Sequence, residues 1–338
     1  MIDYLNNILT LLSNTCSIGD VKETDKKVLE ELSKYADTKV INGGIVGTVG
    51  EGDYTLMLAA HIDEVGFVVT DIDTRGFLTV QKVGGIDLRH LPSRRVVIHG
   101  KEDVVGVFCS IPPHIKSGDE TKFDDIENLK IDTLLGKRAK EVISVGDFVT
   151  YKETAAPLID GRITGKALDN RVGVSVLLCL ARELKEKELP IKVAFTFTGE
   201  EELGCRGAGI SAFSIKPDEA IAIDVTFGDG PDVNAKDCGK LCGGAMIGAA
   251  PVLCREITDK LRAVAKDKDI PYALEIMSER TGTDADKISL TAWGIKTGLL
   301  SVPIRNMHTP VEVVDINDIV SAVKIFKEYI LSGGIKNV

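Results

Sequence analysis

The spacing of hydrophobic residues predicts an α/β fold. Residues 1 to about 64 contain two helical stretches and then strand-like runs, and from about 166 onward apolar strands alternate with helices at 169–187, 254–267 and 316–331. The last predicted helix has an apolar stripe along one side, which consists of Ile316, Ile319, Val320, Val323, Phe326 and Ile330. Such alternation favours a mixed, largely parallel sheet with helices on both faces and ligands at the carboxyl ends of strands.

The pattern changes between about 65 and 165. Short strands are predicted there at 66–72, 77–83, 95–99, 104–108 and 147–151, separated by turns that contain glycine, proline and aspartate. This spacing predicts a small β-barrel domain at 65–165, inserted into an α/β domain made of 1–64 and 166–338. His90, His99 and His114 fall in the insert, and we expect them to be structural.

The sharpest chemical feature is a run of three carboxylates, Glu200-Glu201-Glu202, after a strand-like segment. Adjacent ionised carboxylates repel one another, so a cluster at the end of a buried strand requires positive charge, which a bound divalent metal supplies. Taken alone, the run is equally typical of a solvated turn or of the acidic first turn of a helix.

Four other segments place a metal-ligand side chain after or within an apolar run. His61 follows a strand-like segment, and Asp63 points to the same side of an extended chain, where it could orient the imidazole. Asp169 opens an apolar helix and could equally cap it. Asp224 interrupts an apolar strand, where a carboxylate requires a partner. His308 lies in a loop after a strand.

Together the segments supply two histidines and three carboxylates, namely His61, Asp169, Glu202, Asp224 and His308. This set suits two zinc or cobalt ions, with one carboxylate bridging them and each ion keeping a position open for water. Glu201 remains available as the general base for that water. The residues therefore predict a metal-assisted hydrolase, and they leave the choice among zinc, cobalt and manganese open.

The order of the segments resembles that of the tetrahedral-particle, or TET-type, aminopeptidases of metallopeptidase family forty-two. This family includes glutamyl and deblocking aminopeptidases and proteins labelled cellulase M. The resemblance covers the motifs His-x-Asp, Asp-Asn-Arg, Glu-Glu-x-Gly, Asp-Val-Thr and His-x-Pro. It spans nearly the whole chain, because it also includes Gly84-Gly85, Pro112-Pro113-His114, Gly146-Asp147 and 281–285.

The resemblance implies five metal ligands in two sets. Asp169 would bridge both ions. Glu202 and His308 would complete the protein ligands of one ion, and His61 with Asp224 would complete those of the other. These assignments are carried over residue by residue from matching motifs.

The resemblance also implies the catalytic residues. Glu201 would be the general base, and Asp63 would be the acid that steadies the neighbouring histidine. The family usually has glutamine where Glu200 stands, so a third carboxylate leaves a choice of register. We count back from Leu203-Gly204, because the Gly-x-Arg-Gly-Ala segment matches without a gap. The Asp169-Asn170 peptide is expected to be cis.

By this resemblance, the protein would be a two-metal aminopeptidase that removes N-terminal residues from peptides with a free α-amine. The barrel would be PDZ-like and would mediate dimerisation, and dimers would build a hollow tetrahedral homo-oligomer of twelve subunits. A carboxypeptidase or deacylase on the same scaffold, a glycosidase with paired carboxylates, and a non-enzymatic assembly scaffold are alternatives. An acidic N-terminal side chain would require a cation in the pocket, and Arg280, Arg305 and Lys287 are candidates.

Composition limits the partners. The chain has 338 residues, 44% of them hydrophobic and 27% charged, and a formal net charge of -10 argues against nucleic acid. No run approaches the roughly 20 apolar residues of a membrane helix, and the first residues lack the pattern of a secretion signal. Seven cysteines in largely apolar surroundings indicate reduced thiols. We therefore expect a cytoplasmic protein with no membrane or nucleic-acid partner.

Overall fold

The structure consists of a large mixed sheet, helices on its two faces and a closed β-barrel. The computed structural model describes residues 1–110, 125–231, 233–236 and 238–336, so Pro112, Pro113 and His114 lie outside the described residues. The helices are α1 (Ile2–Ser13), α2 (Glu23–Leu32), α3 (Ala139–Val142), α4 (Leu168–Leu184), α5 (Arg206–Ile215), α6 (Arg255–Asp267), α7 (Asp284–Ile288) and α8 (Ile316–Leu331). Within the described ranges, no helix is long and apolar enough to cross a bilayer.

The strands are numbered in chain order. They are β1 (Ser17–Ile18), β2 (Val21–Lys22), β3 (Asp37–Ile41), β4 (Gly44–Val49), β5 (Thr55–His61), β6 (Gly66–Ile72), β7 (Leu78–Val83), β8 (Arg95–His99), β9 (Asp103–Phe108), β10 (Lys130–Asp132), β11 (Phe148–Tyr151), β12 (Ala156–Pro157), β13 (Arg162–Gly165), β14 (Lys192–Thr198), β15 (Glu219–Phe227), β16 (Ala245–Ala249), β17 (Tyr272–Ile276), β18 (Lys296–Arg305) and β19 (Glu312–Asp315). The predicted bounds of β6, β8 and α8 agree with the structure residue for residue.

The large sheet has the order β12-β13-β19-β18-β15-β5-β14-β4-β3, and β16 and β17 branch from β18. Its four central strands, β14, β5, β15 and β18, pair in parallel, whereas the flanking β4 and β19 pair antiparallel to them. The predicted mixed α/β fold with an inserted barrel is confirmed, and the parallel pairing is concentrated at its centre. The carboxyl ends of the central strands therefore meet at one edge.

Alternation along each central strand divides the sheet into two faces. On β5, Leu56, Leu58 and Ala60 face the main core beneath α1, α4 and α8, whereas Met57 and Ala59 face small side chains of α5. Ala59 of the strand meets Ala208 and Ala212 of α5, and these small side chains let the helix approach the sheet closely. Each fully buried leucine contributes about 1.5–3 kcal/mol to folding.

Six strands that lie between β5 and β12 in the chain form a closed barrel in the order β10-β7-β6-β11-β8-β9. Inside it, the ring of Phe67 makes edge contacts with Phe108 and Tyr151, with ring centroids 5.1 and 5.8 Å away. The sequence prediction lacks β10, whose three residues give no recognisable alternation. The domain boundaries at 65 and 165 and the dimerising role of the barrel remain predictions.

A buried charge cluster joins the residues that follow β5 to those that follow β13. The carboxylate of Glu64 lies 2.6 Å from Lys166 Nζ and 3.3 Å from Arg171 Nη2. Arg171 is 0% exposed, and its guanidinium also donates to the carbonyls of Leu12 and Ile62 and to the hydroxyl of Thr24. The cluster therefore fixes the start of α4 against the end of β5.

Candidate metal centre

His61 is the last residue of β5 and is 1% exposed. Its Nδ1 lies 3.2 Å from the carbonyl oxygen of Asp63 and 3.6 Å from the Asp63 carboxylate. The two carboxylate oxygens of Asp63 accept the N–H groups of Glu201 and Glu202, at 3.0 and 3.1 Å. Burial raises the pKa of Asp63, but His61 and these N–H groups outweigh it and lower the pKa. Asp63 thus fixes both the histidine and the acidic turn after β14.

Asp169 lies between the two histidines. Its Oδ1 is 3.1 Å from His61 Nε2, and its Oδ2 is 3.2 Å from His308 Nε2. Asp224 Oδ1 lies 3.6 Å from His61 Nε2, and Glu202 Oε1 lies 3.3 Å from His308 Nε2. These residues form two candidate ligand groups that share Asp169, and within each group the ligand atoms lie within 4.8 Å of one another. The structure brings all five predicted ligands together.

The backbone around Asp169 is held by side chains that sequence reasoning did not assign. The Asp169-Asn170 peptide is cis, as the resemblance implied, and the Asn170 amide donates to the carbonyl of Ile223 at 2.8 Å. Glu312, which is 1% exposed, accepts the N–H of Asp169 at 3.1 Å and the N–H of His308 at 2.7 Å. Its only signal in the sequence is a carboxylate four residues after the loop histidine.

The barrel contributes to the orientation of His308. Nδ1 of His308 lies 2.7 Å from the carbonyl oxygen of Gly85, so an N–H at this position donates to the carbonyl and leaves Nε2 available as a candidate ligand atom. A Cβ at Gly85 would lie 3.2 Å from the same ring nitrogen. At Gly84, with φ +82°, a Cβ would lie 2.7 Å from Val65. The glycine pair therefore permits close approach of the barrel to the histidine.

The electrostatics of the cluster fit divalent cations. Burial lowers the pKa of each histidine, but the surrounding carboxylates outweigh it, so the pKa of His308 rises to about 11 and that of His61 rises well above its usual value. Burial and the charge of Asp169 raise the pKa of Glu202 and of Asp224, against the opposing effect of the histidines. Crowded carboxylates with imidazole nitrogens form a donor set that zinc or cobalt accepts.

Glu201 lies beside the ligand groups with its own partners. Its Oε1 accepts a hydrogen bond from Cys205 Sγ at 3.2 Å. Burial, aided by Asp224 and Asp284 and opposed by His61, raises the pKa of Glu201 to about 8. Asp284 is 2% exposed, and among the described residues its Oδ1 has no hydrogen-bond partner. Sequence reasoning matched the 281–285 segment but gave Asp284 no role.

Glu200 points away from the cluster. Its carboxylate lies 3.3 Å from Arg206, and its side chain is 53% exposed. Glu200 belongs to none of the candidate ligand groups found within the described ranges, whereas Glu201 and Glu202 each belong to two. This placement agrees with the register chosen from the sequence.

A cavity of about 1140 Å³ opens onto the cluster. His61, Asp169, Glu202, Asp224 and His308 line it on one side, and apolar residues of β16 and β17 line it on another. Arg280 and Lys287 also line it, both from exposed positions. Arg305 instead binds Asp229 at 3.0 Å and is not among the residues that line the cavity.

The sheet, the inserted barrel and the cluster of imidazole and carboxylate donors beside a large cavity define a metal-dependent hydrolase. A family model described as M42 glutamyl aminopeptidase matches residues 43–325. The chain therefore belongs to the M42 aminopeptidase family, and it is a peptide hydrolase. The resemblance predicted from the motifs is confirmed.

Similar proteins carry aminopeptidase names. A lysyl aminopeptidase of Pyrococcus furiosus is 30% identical over 89% of this chain and 88% of its own length. An aminopeptidase from the archaeon Desulfurococcus kamchatkensis superposes with a TM-score of 0.90 at 31% identity, covering 98% of this chain and 95% of the other. The TET1 peptidase of Pyrococcus horikoshii superposes with a TM-score of 0.87 at 29% identity, covering 97% of this chain and 99% of the other. That peptidase is described as able to assemble into a tetrahedron or a large octahedral shell.

Proposed function

We propose that this protein is an aminopeptidase with two catalytic metal ions, and that Glu201 is its general base. The observation that carries the proposal is the position of Asp169, whose two carboxylate oxygens each face a different histidine. A carboxylate that serves two ligand groups in this way suits a bridging ligand. His61 and Asp224 would hold one ion, and Glu202 and His308 the other.

The ions, zinc or cobalt, would supply Lewis acidity when bound. The chain's own residues supply positioning and proton transfer. Glu201 accepts the proton of the attacking water and returns it to the leaving amine, and a pKa raised towards neutrality suits a group that performs both steps. Asp63 accepts the main-chain N–H of Glu201, so the base stays beside the ligand groups, and its carboxylate accepts only the thiol of Cys205 among the described residues.

Replacing Glu201 tests the assignment directly. Glu201→Gln keeps the shape of the side chain but removes the proton acceptor, so we expect kcat to fall about 100-fold or more while the bound metal content stays unchanged. Glu200→Gln is the matched control, because this neighbour is exposed and lies outside the cluster. Near-normal turnover by Glu201→Gln would contradict the base assignment.

Substrate class is tested with free and N-acetylated peptides, using metal-depleted protein reloaded with zinc or cobalt. We expect metal-dependent release of N-terminal residues from free peptides only. Release from the C-terminus or cleavage of acetylated peptides would favour a carboxypeptidase or deacylase. Glucan cleavage that resists chelators would favour a glycosidase.

We also propose a homo-oligomer in which the barrel forms the dimer contact and dimers assemble into a tetrahedral particle of twelve subunits. Support comes from the superposition on the Pyrococcus horikoshii peptidase, which covers nearly the whole chain including the barrel. Light scattering coupled to gel filtration measures the assembled mass. A monomeric mass at micromolar concentration would contradict this part of the proposal.

A further inference from the structure

A second carboxylate lines the cavity beside the metal centre, and the proposed chemistry does not use it. Glu275 lies on β17, next to Gly248 of β16, and its side chain is partly buried. One carboxylate oxygen accepts the hydroxyl of Thr226 at 2.5 Å, and the other accepts the hydroxyl of Ser301 at 2.6 Å. Two hydroxyls from two different strands therefore fix this carboxylate in place.

Within the described parts of the chain, no lysine, arginine or histidine pairs with the carboxylate of Glu275. Among the described residues, its hydrogen-bond partners are both neutral and the one charged neighbour that perturbs it is the acidic Asp224. A carboxylate removed from water without a counter-ion is unfavourable, even when hydroxyls bind it. A cationic ligand that enters the cavity would supply the missing charge.

The position of Glu275 relative to the metal centre suits the side chain of a bound substrate. Asp224 and Thr226 are two residues apart on β15 and point to the same face, and Thr226 binds Glu275. Two strand residues span roughly 7 Å. A substrate whose scissile carbonyl lies at the metal centre can therefore extend a long N-terminal side chain to Glu275.

The cavity wall near Glu275 is apolar. Met246, Leu274 and Met277 line it from β16, from β17 and from the residue after β17. Lysine and arginine side chains pack their methylene stems against such surfaces and keep the charged group for a polar partner. Glutamate offers a shorter stem and the wrong charge for this arrangement.

The cations Lys236, Arg280 and Lys287 also line the cavity, but all three are exposed. Solvent screens exposed charges, whereas a partly buried carboxylate acts at short range with little screening. Glu275 therefore dominates the selection between cationic and anionic side chains at this point of the cavity.

We propose that Glu275 is the specificity-determining residue of this enzyme and selects peptides with an N-terminal lysine or arginine. This inference rests on the aminopeptidase function proposed above. The sequence left the preferred N-terminal residue open, and Glu275 is less exposed than the candidate cations Arg280 and Lys287.

The test compares kcat/KM for lysyl, arginyl, leucyl, norleucyl and glutamyl amides. Norleucine has the stem of lysine without the ammonium, so the lysyl-to-norleucyl ratio isolates the charge. We expect a ratio above about tenfold in the wild type, and Glu275→Gln should lower it to about one by weakening lysyl turnover alone. Glu279→Gln, which removes an exposed carboxylate four residues further on, is the matched control and should leave the ratio unchanged.

Binding supplies a readout that does not require turnover. In a Glu201→Gln background, lysinamide should bind more tightly than norleucinamide, and adding Glu275→Gln should abolish the difference, as measured by calorimetry. A wild type that prefers leucyl or glutamyl amides would overturn the inference while leaving the aminopeptidase proposal intact, and so would an equal loss for lysyl and norleucyl amides in Glu275→Gln. Failure to hydrolyse any free peptide would instead contradict the aminopeptidase function itself.

Discussion

The buried charge cluster of Glu64, Lys166 and Arg171 allows a quantitative prediction about stability. Glu64 pairs with both Lys166 and Arg171, and each of these three residues is at most 3% exposed. Removing one partner of a buried ion pair costs about 3–5 kcal/mol, because the remaining charge is left unpaired. The consequence depends on which of the three charges is removed.

Glu64→Gln removes the anion and leaves two buried cations close together, so we expect a loss at the upper end, about 5 kcal/mol. Lys166→Met leaves Glu64 with Arg171 and with the N–H of Ser17 at 3.1 Å, so we expect about 3 kcal/mol. The double substitution should cost less than the sum of the two, with a coupling of about 1–3 kcal/mol. Asp259→Asn breaks the exposed pair with Arg255 and should change stability by less than about 1 kcal/mol.

Urea unfolding followed by far-ultraviolet circular dichroism measures these free energies. Chelator-treated protein at one fixed concentration removes contributions from metal binding and from changes in assembly. A smaller loss for Glu64→Gln than for Lys166→Met would refute the argument from unpaired charge. Additive losses in the double variant would refute the direct coupling between the two side chains.

Three further predictions concern single side chains. Glu312→Gln retains one acceptor oxygen but places an amide N–H against a main-chain N–H, so metal affinity should fall about 10- to 100-fold. Competition with a chelator measures this affinity, and an unchanged value would exclude the positioning role of Glu312. Gly84→Ala should lose more thermal stability than Gly146→Ala. Both glycines have positive φ, but only a Cβ at Gly84 meets a neighbour, at 2.7 Å from Val65. Equal losses would show that backbone strain, and not this contact, determines the cost. Burial raises the folded-state pKa of Glu219 to about 7 from an unfolded value of 4.5, so its contribution to stability is complete below pH 4.5 and is lost as the pH rises through 7. Glu219→Gln should therefore remove up to about 3 kcal/mol of that pH dependence in unfolding titrations, and an unaltered pH profile would contradict the buried-acid explanation.

The sequence was informative where a local pattern carries the structure. The bounds of α8 follow from its apolar stripe, and those of β6 and β8 follow from alternation between turn residues. The candidate ligands could be proposed because histidines and carboxylates at the ends of apolar strands are unusual, and parallel pairing then brings Thr198 level with His61. In each case the sequence pattern lies within a few residues of the structural feature that it predicts.

The unpredicted parts depend on contacts between distant segments. Glu312 appears in the sequence as one carboxylate at the start of a short strand, and only the fold places it beneath both Asp169 and His308. The suggestion that Arg305 serves the pocket fails for the same reason, because its neighbour Asp229 approaches from another loop. Glu275 looks like one polar residue of an exposed strand until β15 and β18 bring their hydroxyls to it.

The contact between Glu64 and Lys166 also bears on how this architecture can be rearranged. The six barrel strands end at Tyr151, and the chain then forms β12 and β13 of the large sheet before it reaches Lys166, whose Nζ lies 2.6 Å from Glu64 Oε2. A foreign domain with adjacent termini that replaces the barrel alone, and keeps β12 and β13, would therefore leave the strands of the sheet and this contact in place. Such a graft would preserve the scaffold but would remove the Gly85 carbonyl that orients His308. We therefore expect a replacement for the barrel to preserve the site only if it supplies a new acceptor for the histidine.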